Sequence, residues 1–160
     1  MATEKLAFKL ELYATMWDKP PHAEICIGDS SYFKGDITGT ESKPNVIEFE
    51  HDFTEGEESE QNIKRSGKSK NQTVVNDQGD LLKDQLLHIK HIEIDEIDIG
   101  SLVYEGVYTP QYPEPWATQQ RQAGEKLESS FKNVTIMGHN GVWRFSFASP
   151  FYMWLLENLY

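Results

Sequence analysis

Leu87-His88-Ile89-Lys90-His91-Ile92-Glu93-Ile94-Asp95-Glu96-Ile97-Asp98-Ile99 alternates apolar and polar residues, the period of a half-buried strand. The phase slips twice. Leu87 and Ile89 share one face, Ile92 and Ile94 sit out of step, and Ile97 and Ile99 return to the first phase. A strand absorbs such slips only through a bulge, a bend or a short break. The stretch therefore reads as a kinked sheet wrapping a core, and it sets the class as all-β.

The pattern extends outward on both sides. Leu6, Phe8, Leu10 and Leu12 alternate with Ala7, Lys9, Glu11 and Tyr13, and Asp18-Lys19-Pro20-Pro21 ends that strand. His22 to Ile27 and Tyr32 to Ile37 flank the turn residues Gly28-Asp29-Ser30. Asn45 to Phe53 follows, with Ile47, Phe49 and Phe53 on one face. Ser59 to Asn71 is polar and basic, which predicts an edge strand blunted by charge. Thr73-Val74-Val75 and Leu81-Leu82 flank a hairpin tip, Asn76-Asp77-Gln78-Gly79-Asp80. Asn133 to Met137 is strand-like, Gly138-His139-Asn140-Gly141 is a turn that fits a tight hairpin, and Trp143, Phe145 and Phe147 alternate cleanly. Ser149-Pro150 reads as a helix start, with Phe151, Trp154, Leu155 and Leu159 on one stripe; a last strand is the alternative. Short strands separated by turn signals predict one jelly-roll-type β-sandwich over residues 1–160.

Composition excludes several classes. The chain has 160 residues, 38% hydrophobic, enough for a core. Its net charge of -11 repels nucleic acid and anionic membrane. Lys64, Arg65, Lys68 and Lys70 cluster, but neighbouring acids dilute them. Cys26, the single cysteine, excludes an internal disulfide, and its place between isoleucines reads as packing rather than reactivity. Met1-Ala2-Thr3-Glu4-Lys5 lacks the apolar run of a signal peptide, and no stretch reaches the length of a membrane span. The expectation is a chain kept inside a cell or assembled into a particle there.

Candidate sites are few. Tyr104, Tyr108, Tyr112 and Trp116 recur at intervals of four in a long segment, Tyr104 to Ser130, broken by Pro110, Pro113 and Pro115 and followed by Gln119-Gln120-Arg121-Gln122. Prolines forbid one continuous helix there. The rings either form a platform for a sugar, a base or an apolar patch, or fold back to cap the sandwich. Trp17 and Tyr32 are further candidates. Asp77 and Asp80, with Asn76, crowd the hairpin tip; Asp95, Glu96 and Asp98 crowd the second phase slip. Calcium suits such oxygen clusters, but neither has EF-hand spacing, and turn chemistry alone explains the first. Paired carboxylates also serve glycoside hydrolysis, yet nothing selects two of them. His88 and His91 point to opposite faces on a regular strand, and only a bulge brings them round for zinc. His139 needs no role beyond its turn. No Gly-rich phosphate cradle and no nucleophile elbow occurs.

Several strings point further. Trp17-Asp18-Lys19-Pro20-Pro21, Lys83-Asp84-Gln85-Leu86-Leu87, Ile92-Glu93-Ile94-Asp95-Glu96-Ile97, Gly138-His139-Asn140-Gly141-Val142-Trp143 and Pro150-Phe151-Tyr152-Met153-Trp154-Leu155-Leu156-Glu157-Asn158 together cover most of the chain. As a set they resemble a family of small proteins encoded by contractile-tailed phages of marine cyanobacteria. More remotely, that family resembles the jelly-roll sandwiches of carbohydrate-binding modules, some of which use calcium. The resemblance implies a non-catalytic phage protein that recognises glycan, calcium-assisted in some relatives, in the virion or the infected host cytoplasm. A decoration protein making contacts only with other virion proteins is the alternative, and a polysaccharide hydrolase a third. The resemblance carries no catalytic residues.

The C-terminal run Phe151, Tyr152, Met153, Trp154, Leu155, Leu156, Leu159 and Tyr160 leaves almost no polar face. An element apolar all round is normally buried on every side, so this tail is expected to self-associate or dock on a larger assembly. The alternation of the strand before it makes a sharper statement. Phe145→Ala is expected to cost roughly 3–5 kcal/mol, the range for a buried aromatic. Equilibrium denaturation measures it, and parental stability would mean that the faces of this strand are reversed.

Overall fold

In the computed structural model, residues 2–17, 19–68, 74–75, 77–78 and 81–159 are described. Thirteen strands are present among them. They are β1 (Thr3–Thr15), β2 (His22–Ile27), β3 (Ser30–Asp36), β4 (Asn45–Thr54), β5 (Glu58–Ser66), β6 (Val74–Val75), β7 (Leu81–Lys83), β8 (Leu86–Ile94), β9 (Ile97–Asp98), β10 (Val107–Pro110), β11 (Phe131–Lys132), β12 (Ile136–Met137) and β13 (Gly141–Ala148). The described residues also hold two helices, α1 (Trp116–Gln122) and α2 (Phe151–Leu159), and a 3-10 turn, Gly100–Glu105. One sheet has the order β12-β8-β1-β4 with β9 on the free edge of β8; the other runs β11-β10-β13-β5-β2-β3, and β6 pairs with β7. Every pairing is antiparallel. The two larger sheets pack face to face as a β-sandwich.

The two phase slips have different causes. Glu11 pairs with His91 and Leu12 with Ile89, so Lys90 is the extra residue of a bulge. That extra residue keeps Leu87, Ile89, Ile92 and Ile94 all on the inner face, where all four are buried. The second slip is a chain reversal. Asp95 and Glu96 have φ of 55° and 67°, and Ile94 pairs with Ile97 across them. Two left-handed residues in a two-residue loop follow the natural twist of a hairpin.

Leu6, Phe8, Leu10 and Leu12 from β1 face Trp143, Phe145 and Phe147 from β13 in one core with Ile25, Ile27, Ile47 and Ile63. Phe49, expected on the same face as Ile47 and Phe53, packs against the core but is only half-buried on edge strand β4, stacked on Phe8 at 5.1 Å inside and on Tyr32 at 4.5 Å outside. Gly106 is needed for the core to close, since a Cβ there would lie 2.2 Å from the Trp143 ring.

Other expectations are corrected by pairing. The edge strand expected from Ser59 is instead β5, which lies between β13 and β2 in mid-sheet, while residues 69–71 of that stretch lie outside the described residues. The segment from Tyr104 to Ser130 is no single loop, because β10 joins the sheet beside β13 and α1 follows. The Gly138–Gly141 turn is no hairpin: β12 belongs to one sheet and β13 to the other. Ser149 does not cap α2. The Glu4 carboxylate does so from β1, accepting from Phe151 N at 2.9 Å and from the Ser149 hydroxyl at 2.8 Å. A carboxylate suits the positive end of a helix.

The inner row of β5 is Gln61, Ile63 and Arg65, all buried, with Arg65 at 2% exposure. Arg65 reaches across to the other sheet. Its Nη1 donates to Met137 O at 2.5 Å, and its Nη2 donates to Gln85 O at 2.6 Å and Gln85 Oε1 at 2.7 Å. Gln85 in turn donates to Lys19 O at 2.9 Å. One guanidinium thus ties the start of β8, the end of β12 and, through Gln85, the β1–β2 loop at one end of the sandwich, here the upper end. The row also carries a cost. Both amide atoms of Gln61 and the Nε of Arg65 are buried without a protein partner, worth about 1–3 kcal/mol per group.

Burial pulls the Arg65 guanidinium down to about 10, so it remains charged at neutral pH. Arg65→Met is expected to destabilise the fold by about 3 kcal/mol, because three acceptors lose a charged donor. Arg65→Lys is expected to recover little of this, since a point charge cannot span the fork. Urea denaturation of both variants checks it; a lysine variant as stable as the parent would show that charge alone suffices.

Candidate functional site

The upper end gathers the loops that join β1 to β2 and β3 to β4, the segment 111–130 with α1, the loop 138–140 between β12 and β13, Lys68 after β5 and Asp84 before β8. Its 138–140 loop is held from several sides. Lys68 Nζ donates to Gly138 O at 2.5 Å and to Asp84 Oδ1 at 2.7 Å. Asn140 exchanges two hydrogen bonds with the Lys68 backbone, each 3.0 Å. From below, the Tyr108 hydroxyl donates to His139 O at 2.5 Å and accepts from His139 N at 2.9 Å. Tyr108 itself is buried, and burial pushes its phenol up to about 12. It is a support, so its ring is not part of any exposed platform.

Above this support three rings converge. His139 lies 5.1 Å from Tyr112, edge to face at 70°, and 5.6 Å from Trp116. Tyr112 and Trp116 are 6.1 Å apart. Trp116 opens α1 and is 38% exposed, while its neighbour Ala117 is buried and anchors the helix. The Tyr112 hydroxyl donates to Glu128 O at 2.6 Å and closes the loop over itself. Gln119 and Gln120, three and four places after Trp116, share its helical face. The arrangement presents angled aromatic faces beside the amides of Gln119 and Gln120, with His139 fixed on the braced loop.

His139 is the member that sequence reasoning passed over. A histidine in a Gly-Asn turn carries no local signal, and its place depends on Tyr108 in a distant strand. Its imidazole is held below the ordinary histidine range, by burial first and then by the Lys68 and Arg65 cations, with Asp84 opposing.

The other candidates fall elsewhere. Trp17 shares the upper end, but the Lys83 ammonium sits 3.3 Å over its ring. Tyr32 bridges the sandwich side, stacked on Phe49 and hydrogen-bonded through its hydroxyl to His51 Nδ1. Asp77 is exposed on the β6–β7 turn, and Asn76 and Asp80 lie outside the described residues. Asp95 is at the opposite end, in the β8–β9 turn, accepting from the Tyr152 hydroxyl. These aspartates therefore do not form one site. Among the described residues no three His, Cys, Asp or Glu side chains converge as a metal would require. The bulge does bring His88 and His91 to the same outer face. His88 nevertheless bonds Thr15 at 2.9 Å and stacks on Tyr13, while His91 lies 3.5 Å from Asp98. Cys26 is buried, and burial raises its thiol above the ordinary value.

Of the C-terminal candidates, Phe151 and Leu155 are buried, Trp154 is half-buried and Tyr152 is exposed; Tyr160 lies outside the described residues. The expectation of an element buried on every side is therefore corrected: α2 covers the core with one face and shows the other to solvent.

No protein-family model matches the chain, and no curated protein matches it. A solved structure shares 8% identity, with a TM-score of 0.49 over 88% of this chain and 89% of its own. It is the selenomethionine form of a module described in connection with a circular permutation linking two families of calcium-dependent carbohydrate-binding modules. At that similarity nothing about a ligand or a metal passes to this chain.

The depressed pKa of His139 has a direction in stability. The unfolded chain takes up a proton near pH 6.5, while the folded site resists it to lower pH. Stability is then full above about pH 6.5 and falls as the pH drops through the window beneath it. His88, held low by burial, acts the same way. His139→Gln is expected to lose less melting temperature than the parent between about pH 7.5 and pH 5.5. Thermal melts at both values decide this, and an equal or larger loss in the variant would contradict it.

Proposed function

We propose that the chain is a non-catalytic, carbohydrate-binding β-sandwich protein of a phage particle, and that a glycan docks on Trp116, Tyr112 and His139. The carrying observation is the angled, part-exposed cluster of Tyr112, Trp116 and His139 beside Gln119 and Gln120, with His139 on a loop braced by Tyr108, Lys68 and Asn140. A sugar has apolar C–H faces and a belt of hydroxyls. Rigid aromatic faces suit the first and side-chain amides suit the second. The net charge of -11 disfavours a nucleic-acid base as the stacked ligand. Residence in the virion or the infected host cytoplasm belongs to the same reading. Calcium assistance belongs to the same reading, with Asp77 and Asp80 as its expected ligands.

A virion decoration protein that only contacts other proteins is the second reading. The outward apolar face of α2 favours it.

A glycan array, run with calcium and with a chelator, tests the first reading. For any sugar that binds, Trp116→Ala is expected to weaken affinity roughly tenfold, equivalent to about 1.4 kcal/mol of lost contact. Tyr112→Ala is expected to act in the same direction, and Trp116→Ala to leave the melting temperature nearly unchanged. Unaltered binding in both variants, or an array without any positive sugar, would overturn the assignment.

A further inference from the structure

The lower end carries a second surface with no part in the glycan reading. There α2 turns Phe151 and Leu155 into the core, while positions 152, 153 and 156 lie on the opposite side of the helix. Met153 is 60% exposed and Leu156 63%, more than any other large apolar side chain among the described residues. Apolar surface on a helix normally faces inward; this stripe faces out beside Tyr152.

Its surroundings have one sign of charge. The Tyr152 hydroxyl donates to Asp95, and Glu4 and Glu96 lie close enough to raise its phenol further. On the other flank Trp154 lines a groove with Glu57, Glu58 and Glu60, which continues to Glu105. Arg144 in that groove is already held 3.7 Å from Glu60, and Lys5 nearby on β1 is 3.8 Å from Glu50. The helix adds Glu157 and carries no lysine or arginine. Its C-terminal end adds partial negative charge.

We propose that this face docks a cationic amphipathic segment of a partner protein. The segment lays its apolar side on Tyr152, Met153 and Leu156 and its lysines or arginines over Glu58, Glu96 and Glu157. A second copy of this chain fits poorly, since it would bring two acidic rims together in a chain of net charge -11.

The test titrates the labelled full-length chain with a lysine/leucine amphipathic helical peptide, and with a glutamate/leucine peptide of the same pattern. Only the cationic peptide is expected to bind, and more weakly as salt rises from about 50 to about 300 mM. The double variant Met153→Ser/Leu156→Ser is expected to lose binding roughly tenfold, and Glu58→Gln/Glu96→Gln/Glu157→Gln to lose it similarly. A control, Glu24→Gln/Glu41→Gln/Glu125→Gln, away from the lower end, is expected to bind as the parent does. An equal loss in the control would reduce the effect to general charge and overturn the proposal. So would a parental dimer in sedimentation that Met153→Ser/Leu156→Ser dissolves, since the occupant is then a second copy. Binding unaffected by either base variant would overturn it as well.

Discussion

A buried guanidinium is the constraint on which the upper half of this molecule depends. Arg65 is the inward residue of a central strand, and it faces the backbone of the opposite sheet rather than a carboxylate. The nearest acid, Asp84, is bound to Lys68 instead. Carbonyl dipoles from Met137 and Gln85 replace water around the charge. That is a demanding arrangement, because a buried charge tolerates few geometries. It therefore fixes where β8 starts, where β12 ends and how the 138–140 loop leaves the core. His139, two residues beyond Met137, takes its place from this anchor, and Tyr112 and Trp116 gather around it.

Local periodicity made the apolar half of the fold legible. Leu6 to Leu12 and Trp143 to Phe147 alternate so regularly that their inner faces follow from the pleat alone. The two slips between Leu87 and Ile99 also announced a disturbed strand. What stayed hidden depends on distant partners. The residues of β5 look solvated because Gln61, Asn62, Lys64 and Arg65 are polar, and only the neighbours β2 and β13 make it a central strand. Glu4 reads as an ordinary strand residue until α2 folds back onto it. The ring spacing at Tyr108, Tyr112 and Trp116 suggested one surface, yet Tyr108 lies in a strand and supports the others from beneath. His139 completed the cluster without any signal of its own.

The two ends of the sandwich differ in chemistry. At the upper end Arg65, Lys68 and Lys83 are committed to carbonyls, to Asp84 and to the Trp17 ring. The lower end shows the reverse, with carboxylates clustered in the β4–β5 and β8–β9 turns around an apolar helix. A loop end built on rigid strands suits recognition of a small ligand. A helical face with a charged rim suits a macromolecular contact. The strands separate these surfaces, so either can be occupied while the other is free.

The bond from Glu4 to the start of α2 joins residues 147 apart in sequence. Contacts of that span form late, since the intervening chain must first be ordered. During synthesis the first strand therefore waits for the last helix. Until Phe151 and Trp154 arrive, Phe147 and Phe145 lack the rings that cover them at the lower end. A nascent chain stalled before residue 151 would expose an unfinished core at the sandwich base, a surface that chaperones and aggregates both recognise. Closing the base is thus a late event in folding, because the two residues that latch it stand 147 apart in sequence.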